Sequence, residues 1–138
     1  MGTGERKTEM KRVWNPPEMK ARPLAPGVSA NIAWGKKLML SLVILEPNAA
    51  VPEHSHPHEQ MGMLVSGTMQ LVVSGKPSLL SGNEMYLVPG GVPHSAKAGP
   101  EGAVALDSFS PPREDYKRGR PASRRAAPKP AIPARARR

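Results

Sequence analysis

A chain of 138 residues with 17 prolines, 13 glycines and five aromatic residues is the size of one domain and favours short strands over long helices. It has no cysteine, which excludes disulfide bonds and thiolate metal sites. The net charge of +9 is concentrated at one end, because residues 1–116 carry 11 basic and 11 acidic residues and the other nine basic residues lie in 117–138.

Three segments are predicted in chain order. Residues 1–27 are polar and rich in proline, which indicates an arm laid over a core. Residues 28–116 contain short apolar runs separated by turns with Gly or Pro, and the runs predict strands at 28–34, 38–45, 51–56, 60–66, 69–74, 84–88 and 103–110. Strands at this spacing without intervening helices predict an antiparallel sandwich or barrel. Residues 117–138 are mostly Arg, Ala and Pro, which predicts a disordered basic tail.

The ends of the chain bear on location and partners. The segment MGTGERKTEMKR lacks the apolar centre of a signal peptide, and the longest apolar run, at 38–45, is too short to span a bilayer. We therefore expect a soluble, cytoplasmic protein that does not enter a membrane. The basic tail allows weak nonspecific contact with nucleic acid, but it has no aromatic residue for base stacking. We expect no specific nucleic-acid partner.

The stretch VPEHSHPHEQMG, residues 51–62, places three histidines and a glutamine at alternate positions. Side chains two residues apart share one face of a strand, so His54, His56, His58 and Gln60 would lie together on an undistorted strand. Neutral imidazoles are good ligands for Zn, Ni, Mn and Fe, and this pattern predicts a divalent metal site more strongly than a His-rich surface loop. Pro57 allows a bulge that redirects His58, so its role stays open.

Two further residues bear on this metal site. His94 follows the tight turn PGGVP and is a candidate third imidazole. Gln60 has the right parity to coordinate through its amide oxygen. The alternative is that Gln60 hydrogen-bonds a metal-bound water while His58 or nothing takes the fourth place. Because an amide adds no charge, a shell of three His and one Gln leaves the ion its full positive charge, which attracts anionic substrates.

A second group of polar and aromatic residues lies in LDSFSPPREDY, residues 106–116. On a strand over 103–110, Asp107 and Phe109 share one face, and Arg113 follows two prolines that end the strand. An acid, an aromatic ring and a guanidinium suit a sugar acid, because Arg pairs with carboxylates, Phe stacks on a ring and Asp transfers protons. The alternative is structural, with Asp107 and Arg113 forming a salt bridge and Phe109 filling the core.

The two histidine segments resemble the two motifs of the cupin superfamily. His54, His56, Gln60 and Gly67 stand at the intervals of its first motif, and PGGVPH, residues 89–94, matches the centre of its second motif. Asn48 and Asn83 replace the leading glycines, and Ala98 replaces the closing Asn. Asn tolerates the left-handed conformation better than most residues, so the replacement of the leading glycine of the second motif by Asn83 is mild.

The Gln in the acid position together with the late FSPPRED segment is similar to the small pectin-degradation cupins of the KdgF type. The resemblance covers residues 28–116 and implies an antiparallel double-sheet jelly roll and a homodimer. It also implies an enzyme that converts 4,5-unsaturated monouronates to the open-chain keto form. It assigns the metal to His54, His56, Gln60 and His94, and catalysis to Asp107, Phe109 and Arg113. A metal-dependent oxygenase and a non-catalytic ligand-binding cupin are the alternatives.

Overall fold

The computed structural model describes residues 11–118. Residues 1–10 lie outside the described residues, and so do residues 119–138, the greater part of the predicted basic tail. Eight strands form within the described part of the chain. They are β1 (Arg22–Ala25), β2 (Val28–Trp34), β3 (Met39–Leu45), β4 (Ala50–His54), β5 (Glu59–Val73), β6 (Lys76–Leu80), β7 (Met85–Val88) and β8 (His94–Ser110).

Helical structure is limited to short pieces in residues 11–118. A 3₁₀ turn spans Pro16–Glu18, and one helix, α1, spans Glu114–Lys117 after the prolines that end β8. No helix in this part of the chain has the length and apolar character needed to cross a membrane.

All strand pairs are antiparallel, and the two long strands β5 and β8 pair along most of their length. The first half of β5 and the second half of β8 lie in one sheet with β1, β2, β3 and β7. The other halves lie in a second sheet with β4 and β6. The two sheets are therefore continuous through the shared strands, and the predicted antiparallel double-sheet jelly roll is confirmed.

Glycines occupy the corner where both long strands pass from one sheet to the other. The register of β5 against β8 shifts on both sides of Gly67, which is the mark of a bulge. Gly67 and Gly102 have φ of +82° and +85°, and a Cβ on Gly67 would overlap the carbonyl oxygen of Gly102. Only glycine fits this crossing, because it permits positive φ and has no side chain.

Two predicted features of the backbone appear in the structure, the left-handed Asn residues and the alternation along β8. Asn48 and Asn83 have φ of 63° and 68°, so each adopts the left-handed conformation expected where a glycine is replaced. Alternate residues of β8 from Ala103 to Phe109 are buried, which confirms the predicted shared face of Asp107 and Phe109. These residues point into the barrel.

The structure corrects several strand boundaries. The runs predicted at 60–66 and 69–74 are one strand, β5, and the run predicted at 103–110 is the second half of β8. Strand β6 was not predicted. Its residues are largely exposed, so it lacks the alternation of apolar and polar residues by which a strand is predicted. Strand β1 was not predicted either, and it lies within the segment that the sequence assigned to an arm.

The core lies between the sheets and is largely aliphatic, with Val28, Met39, Leu64 and Val88 almost wholly buried.

Candidate metal and substrate site

Three histidines from separate elements meet inside one end of the barrel. His54 is the last residue of β4 and lies directly opposite His94, the first residue of β8. His56 lies in the loop between β4 and β5. One ligand atom of each ring lies within 4.8 Å of the others, close enough for the three to share an ion. The set forms through strand pairing and a loop, and the single undistorted strand considered above is not present.

Backbone carbonyl groups orient all three rings. Each Nδ1 hydrogen-bonds a carbonyl two residues away in the chain: His54 with Pro52 at 2.9 Å, His56 with His58 at 3.2 Å and His94 with Val92 at 2.9 Å. A carbonyl only accepts, so Nδ1 of His54 and Nδ1 of His94 carry the proton and their Nε2 atoms keep the lone pair. His56 has an acceptor oxygen at both ring nitrogens, and a proton on its Nδ1 leaves Nε2 free to ligate. Metal-ligating histidines commonly have this arrangement. Nε2 of His94 is buried and has no hydrogen-bond partner among residues 11–118, which fits a metal-ligating atom.

Gln60 brings an oxygen to the same cluster. It is the second residue of β5, and its Oε1 lies 3.1 Å from Nε2 of His56. The Gln60 amide also lies beside the Asp107 carboxyl group and acts to lower its pKa. An amide N–H lowers the pKa of a carboxyl group that it faces, so the nitrogen is on the Asp107 side and the oxygen on the side of the histidines. With the proton of His56 on Nδ1, its Nε2 and Oε1 of Gln60 both offer lone pairs, and a shared cation fits between such donors.

The electrostatics of the histidines also suit a cation. Burial, followed by the nearby charge of Arg113, lowers the pKa of His56 to about 4. Burial also lowers the pKa of His54. Both rings are therefore neutral at pH 7, which is the form that ligates a metal. The donor set fits a divalent transition metal and does not distinguish among Ni, Zn, Mn and Fe.

The turn before His94 is held against the histidine loop by close backbone contact. The backbone N–H of Gly91 donates to the carbonyl oxygen of His56 at 2.8 Å. A Cβ on Gly90 would overlap the carbonyl oxygen of Pro57, so this approach requires glycine. His58 lies on the same loop, but its ring is not among the three whose ligand atoms converge.

Asp107 is buried beside the cluster and is held by a tyrosine that the sequence analysis missed. Oη of Tyr86 donates to Oδ1 of Asp107 at 2.6 Å. Burial raises the pKa of Asp107 above the usual aspartate range, although hydrogen bonds from Tyr86 and Gln60 act in the opposite direction. Gly62 lies opposite both Tyr86 and Asp107 in the sheet, and a Cβ there would overlap the Asp107 carboxylate. Gly62 thus leaves the space that this hydrogen bond occupies.

Arg113 forms a different ion pair from the structural alternative considered above. Its guanidinium donates twice to the carboxylate of Asp115, at 3.0 and 3.3 Å, and not to Asp107. Burial raises the pKa of Asp115, but the bond and charge of Arg113 outweigh it and lower that pKa overall, so the pair is ionised. The guanidinium carbon also lies 3.9 Å from the ring centroid of Tyr116 and 5.2 Å from that of Phe109.

A cavity of about 340 Å³ opens onto these groups. Its apolar walls come from the inner faces of both sheets, and six of the seven predicted site residues line it, namely His54, Gln60, His94, Asp107, Phe109 and Arg113. The polar and aromatic lining residues that the sequence analysis missed include Arg22, Tyr86, Asp115 and Tyr116. Asp115 and Tyr116 were within the quoted FSPPREDY segment, whereas nothing local marks Arg22 or Tyr86. A volume of this size suits a small molecule such as a monosaccharide.

Comparison with known proteins gives consistent results. Residues 41–109 match the Cupin domain family. The pectin degradation protein KdgF of Dickeya dadantii (strain 3937) is 28% identical over 109 residues, covering 78% of this chain and 99% of that protein. The structure of KdgF from Halomonas sp. matches with a TM-score of 0.72 and 27% identity, over 78% of this chain and 99% of that one. An RmlC-like cupin from Shewanella frigidimarina NCIMB 400 gives a TM-score of 0.73 and 25% identity, over 78% and 96%.

Proposed function

Because the chain belongs to the cupin family, we propose that it is a metal-dependent enzyme that converts 4,5-unsaturated monouronates to their open-chain keto form. The observation that carries this proposal is the buried Asp107 beside three converging histidines in a cavity of monosaccharide size. The similarity to the pectin degradation protein KdgF of Dickeya dadantii and to KdgF from Halomonas sp. supports the choice of substrate. The substrate is a small anionic sugar acid.

The proposed metal ligands are His54, His56, His94 and Gln60, three neutral imidazoles and one amide oxygen. A divalent ion held by these four residues would supply a Lewis acid for a substrate oxygen. The neutral Gln60 leaves the charge of the ion uncompensated, which favours an anionic substrate. The Nδ1 bonds to backbone carbonyls hold the imidazoles in the ligating tautomer.

The proposed chemistry is carried by the other wall of the cavity. Asp107 transfers the proton during ring opening and tautomerisation, since burial raises its pKa toward the range in which a carboxyl both gives and takes a proton. Phe109 lies in the same wall and offers an apolar surface to the sugar ring. Arg113 lines the cavity beside them, where its ion pair with Asp115 and its stacking on Tyr116 hold this wall in place.

The test compares Asp107→Asn with Glu101→Gln, a matched change at an exposed acid on the corner of the barrel. Each protein is loaded with Ni, Zn, Mn or Fe and assayed for loss of the ultraviolet absorbance of 4,5-unsaturated galacturonate. We expect Asp107→Asn to lose about 100-fold or more in kcat with unchanged metal content, since general acid–base catalysis contributes about 100- to 10,000-fold. Glu101→Gln keeps wild-type turnover. Wild-type turnover by Asp107→Asn removes Asp107 from the mechanism, and an inactive wild type under every metal contradicts the proposed activity.

We also propose that two copies of this chain pair through the outer face of the first sheet. Paired residues on adjacent strands share a face, and two rows of outward side chains cross β3, β8, β5 and β7 here. Seven of their eight residues are apolar: one row is Leu40, Ser108, Met61 and Leu87, and the next is Leu42, Leu106, Met63 and Met85. A contiguous apolar patch of this kind is typical of an interface. Met61→Lys is expected to give a monomer by light scattering, whereas Leu79→Lys, an exposed leucine on the other sheet, leaves the dimer intact. A monomeric wild type, or a dimeric Met61→Lys, contradicts this assignment.

A further inference from the structure

Arg22 is a basic residue directed into the barrel. It lies on β1 opposite Ala30 of β2, and Ala30 is buried in the core. Residues directly opposite in an antiparallel pair project to the same side of the sheet, so the Arg22 side chain also projects inward. Arg22 and its neighbours Pro23 and Leu24 line the cavity that contains the histidine cluster.

The guanidinium of Arg22 has no acidic partner among the residues that the structure describes. The two ion pairs in residues 11–118 are Arg113 with Asp115 and Lys117 with Glu114. Nη1 of Arg22 is buried and donates to no hydrogen-bond acceptor within the described chain. A buried guanidinium nitrogen without an acceptor is unfavourable, because it has lost water and gained nothing in exchange.

The other arginine of the cavity is already engaged. Arg113 donates twice to Asp115 and stacks over the ring of Tyr116. Its fork is therefore occupied by a carboxylate of the protein, whereas the fork of Arg22 is open to a carboxylate from outside. Arg binds carboxylates through two parallel N–H bonds, a geometry that Lys does not reproduce.

We propose that Arg22 is the carboxylate-binding residue of the cavity, pairing with the acid group of a small sugar acid whose hydroxyl or ring oxygens face the histidine cluster. The inference rests on the proposed function for the class of ligand, and it adds the residue that selects the acid over its neutral analogue. It also gives strand β1 a role in the site, because the pairing of β1 with β2 sets the inward direction of Arg22.

The experiment measures binding without turnover. The methyl ester of D-galacturonate carries a methyl group in place of the negative charge of the acid. Neither compound has the 4,5 double bond, so the metal-loaded protein binds them without reacting. Affinities are measured by calorimetry for the wild type, Arg22→Gln, Arg22→Lys and Lys20→Gln. Lys20 is the matched control, an exposed basic residue two positions earlier in the same segment.

We expect the wild type to prefer the acid to the ester, and Arg22→Gln to lose about 10- to 100-fold in affinity for the acid with little change for the ester, because hydrogen bonds to charged groups are the strong ones. Arg22→Lys should be intermediate, and Lys20→Gln should match the wild type. Unchanged thermal unfolding and metal content show that Arg22→Gln is folded.

Two results overturn the inference: a wild type that binds acid and ester equally, or an Arg22→Gln protein that keeps the full preference for the acid. These outcomes do not depend on catalysis. An inactive protein whose acid preference requires Arg22 contradicts only the proposed activity, and an active one whose preference survives Arg22→Gln contradicts only this inference.

Discussion

Replacing Gly62 by alanine tests whether the hydrogen bond between Tyr86 and Asp107 positions the carboxyl group for catalysis. The added Cβ would overlap Oδ1 of Asp107 and lie 2.6 Å from Oη and 2.7 Å from Cε1 of Tyr86. Oη and Oδ1 are themselves 2.6 Å apart, so the methyl group enters the space of the bond. Non-bonded heavy atoms normally lie about 3.5–4.0 Å apart, so one of the groups must move by about 1 Å.

The expected magnitudes follow from this displacement. Overpacking costs about 1–3 kcal/mol, and the better strand propensity of alanine offsets about 0.5–1 kcal/mol. We therefore expect the free energy of unfolding of Gly62→Ala to fall by about 1–2 kcal/mol, with Tm lowered by about 4–8 °C per kcal/mol in a domain of this size. A shift of about 1 Å at a reacting group costs about 100-fold in rate, so kcat should fall by about that factor.

Gly35→Ala is the matched control, because a Cβ there meets no atom within 4 Å. Both variants are compared by thermal unfolding, by metal content and by turnover of 4,5-unsaturated galacturonate. Metal content should stay unchanged in Gly62→Ala, since the altered contacts are with Asp107 and Tyr86 and not with a histidine. A Gly62→Ala protein with wild-type kcat would refute the view that the position of Asp107 matters for catalysis.

Three further predictions concern the charge states of the site. Tyr86→Phe removes a hydrogen bond that lowers the pKa of Asp107, so the limb of the kcat/KM profile that belongs to Asp107 should move to higher pH, and an unmoved limb would show that the bond is not maintained in solution. Removing the metal with a chelator should lower Tm, and returning the ion should restore it, because an ion at 100 times its Kd stabilises the folded state by about 2.7 kcal/mol; an unchanged Tm would argue against a bound ion. In the metal-free protein, the folded-state pKa of His56 is about 4 against 6.5 for the ordinary group, so the unfolded chain binds more protons between these values. Stability should therefore fall as the pH falls from about 6.5 to about 4. Urea unfolding across this range measures the fall, which should be smaller in His56→Gln, and an equal pH dependence in that variant would contradict the assignment to His56.

Much of the fold and part of the site were accessible from local pattern. Turn residues between short apolar runs predict an antiparallel β protein, and the alternation in 103–110 predicts that Asp107 and Phe109 share a buried face, as they do. Residue type alone identifies His54, His56 and His94 as candidate ligands, and the structure brings their rings together. Which face of a strand a residue occupies, what its side chain can ligate and where a turn forms depend on the residue and its near neighbours in the chain. These features can therefore be predicted from a single sequence.

What only the tertiary structure decided depends on contacts between distant residues. The bend at Gly67 and Gly102 lets β5 and β8 run through both sheets, and that path sets the register in which Gly62 faces Asp107. Tyr86 reaches Asp107 from 21 residues away, a pairing that no local pattern encodes. Arg22 points inward only because β1 pairs with β2, in a segment whose composition predicted an arm. Strand register across a sheet arises from the packing of the whole chain, so the partners of the site residues become visible only once that packing is known.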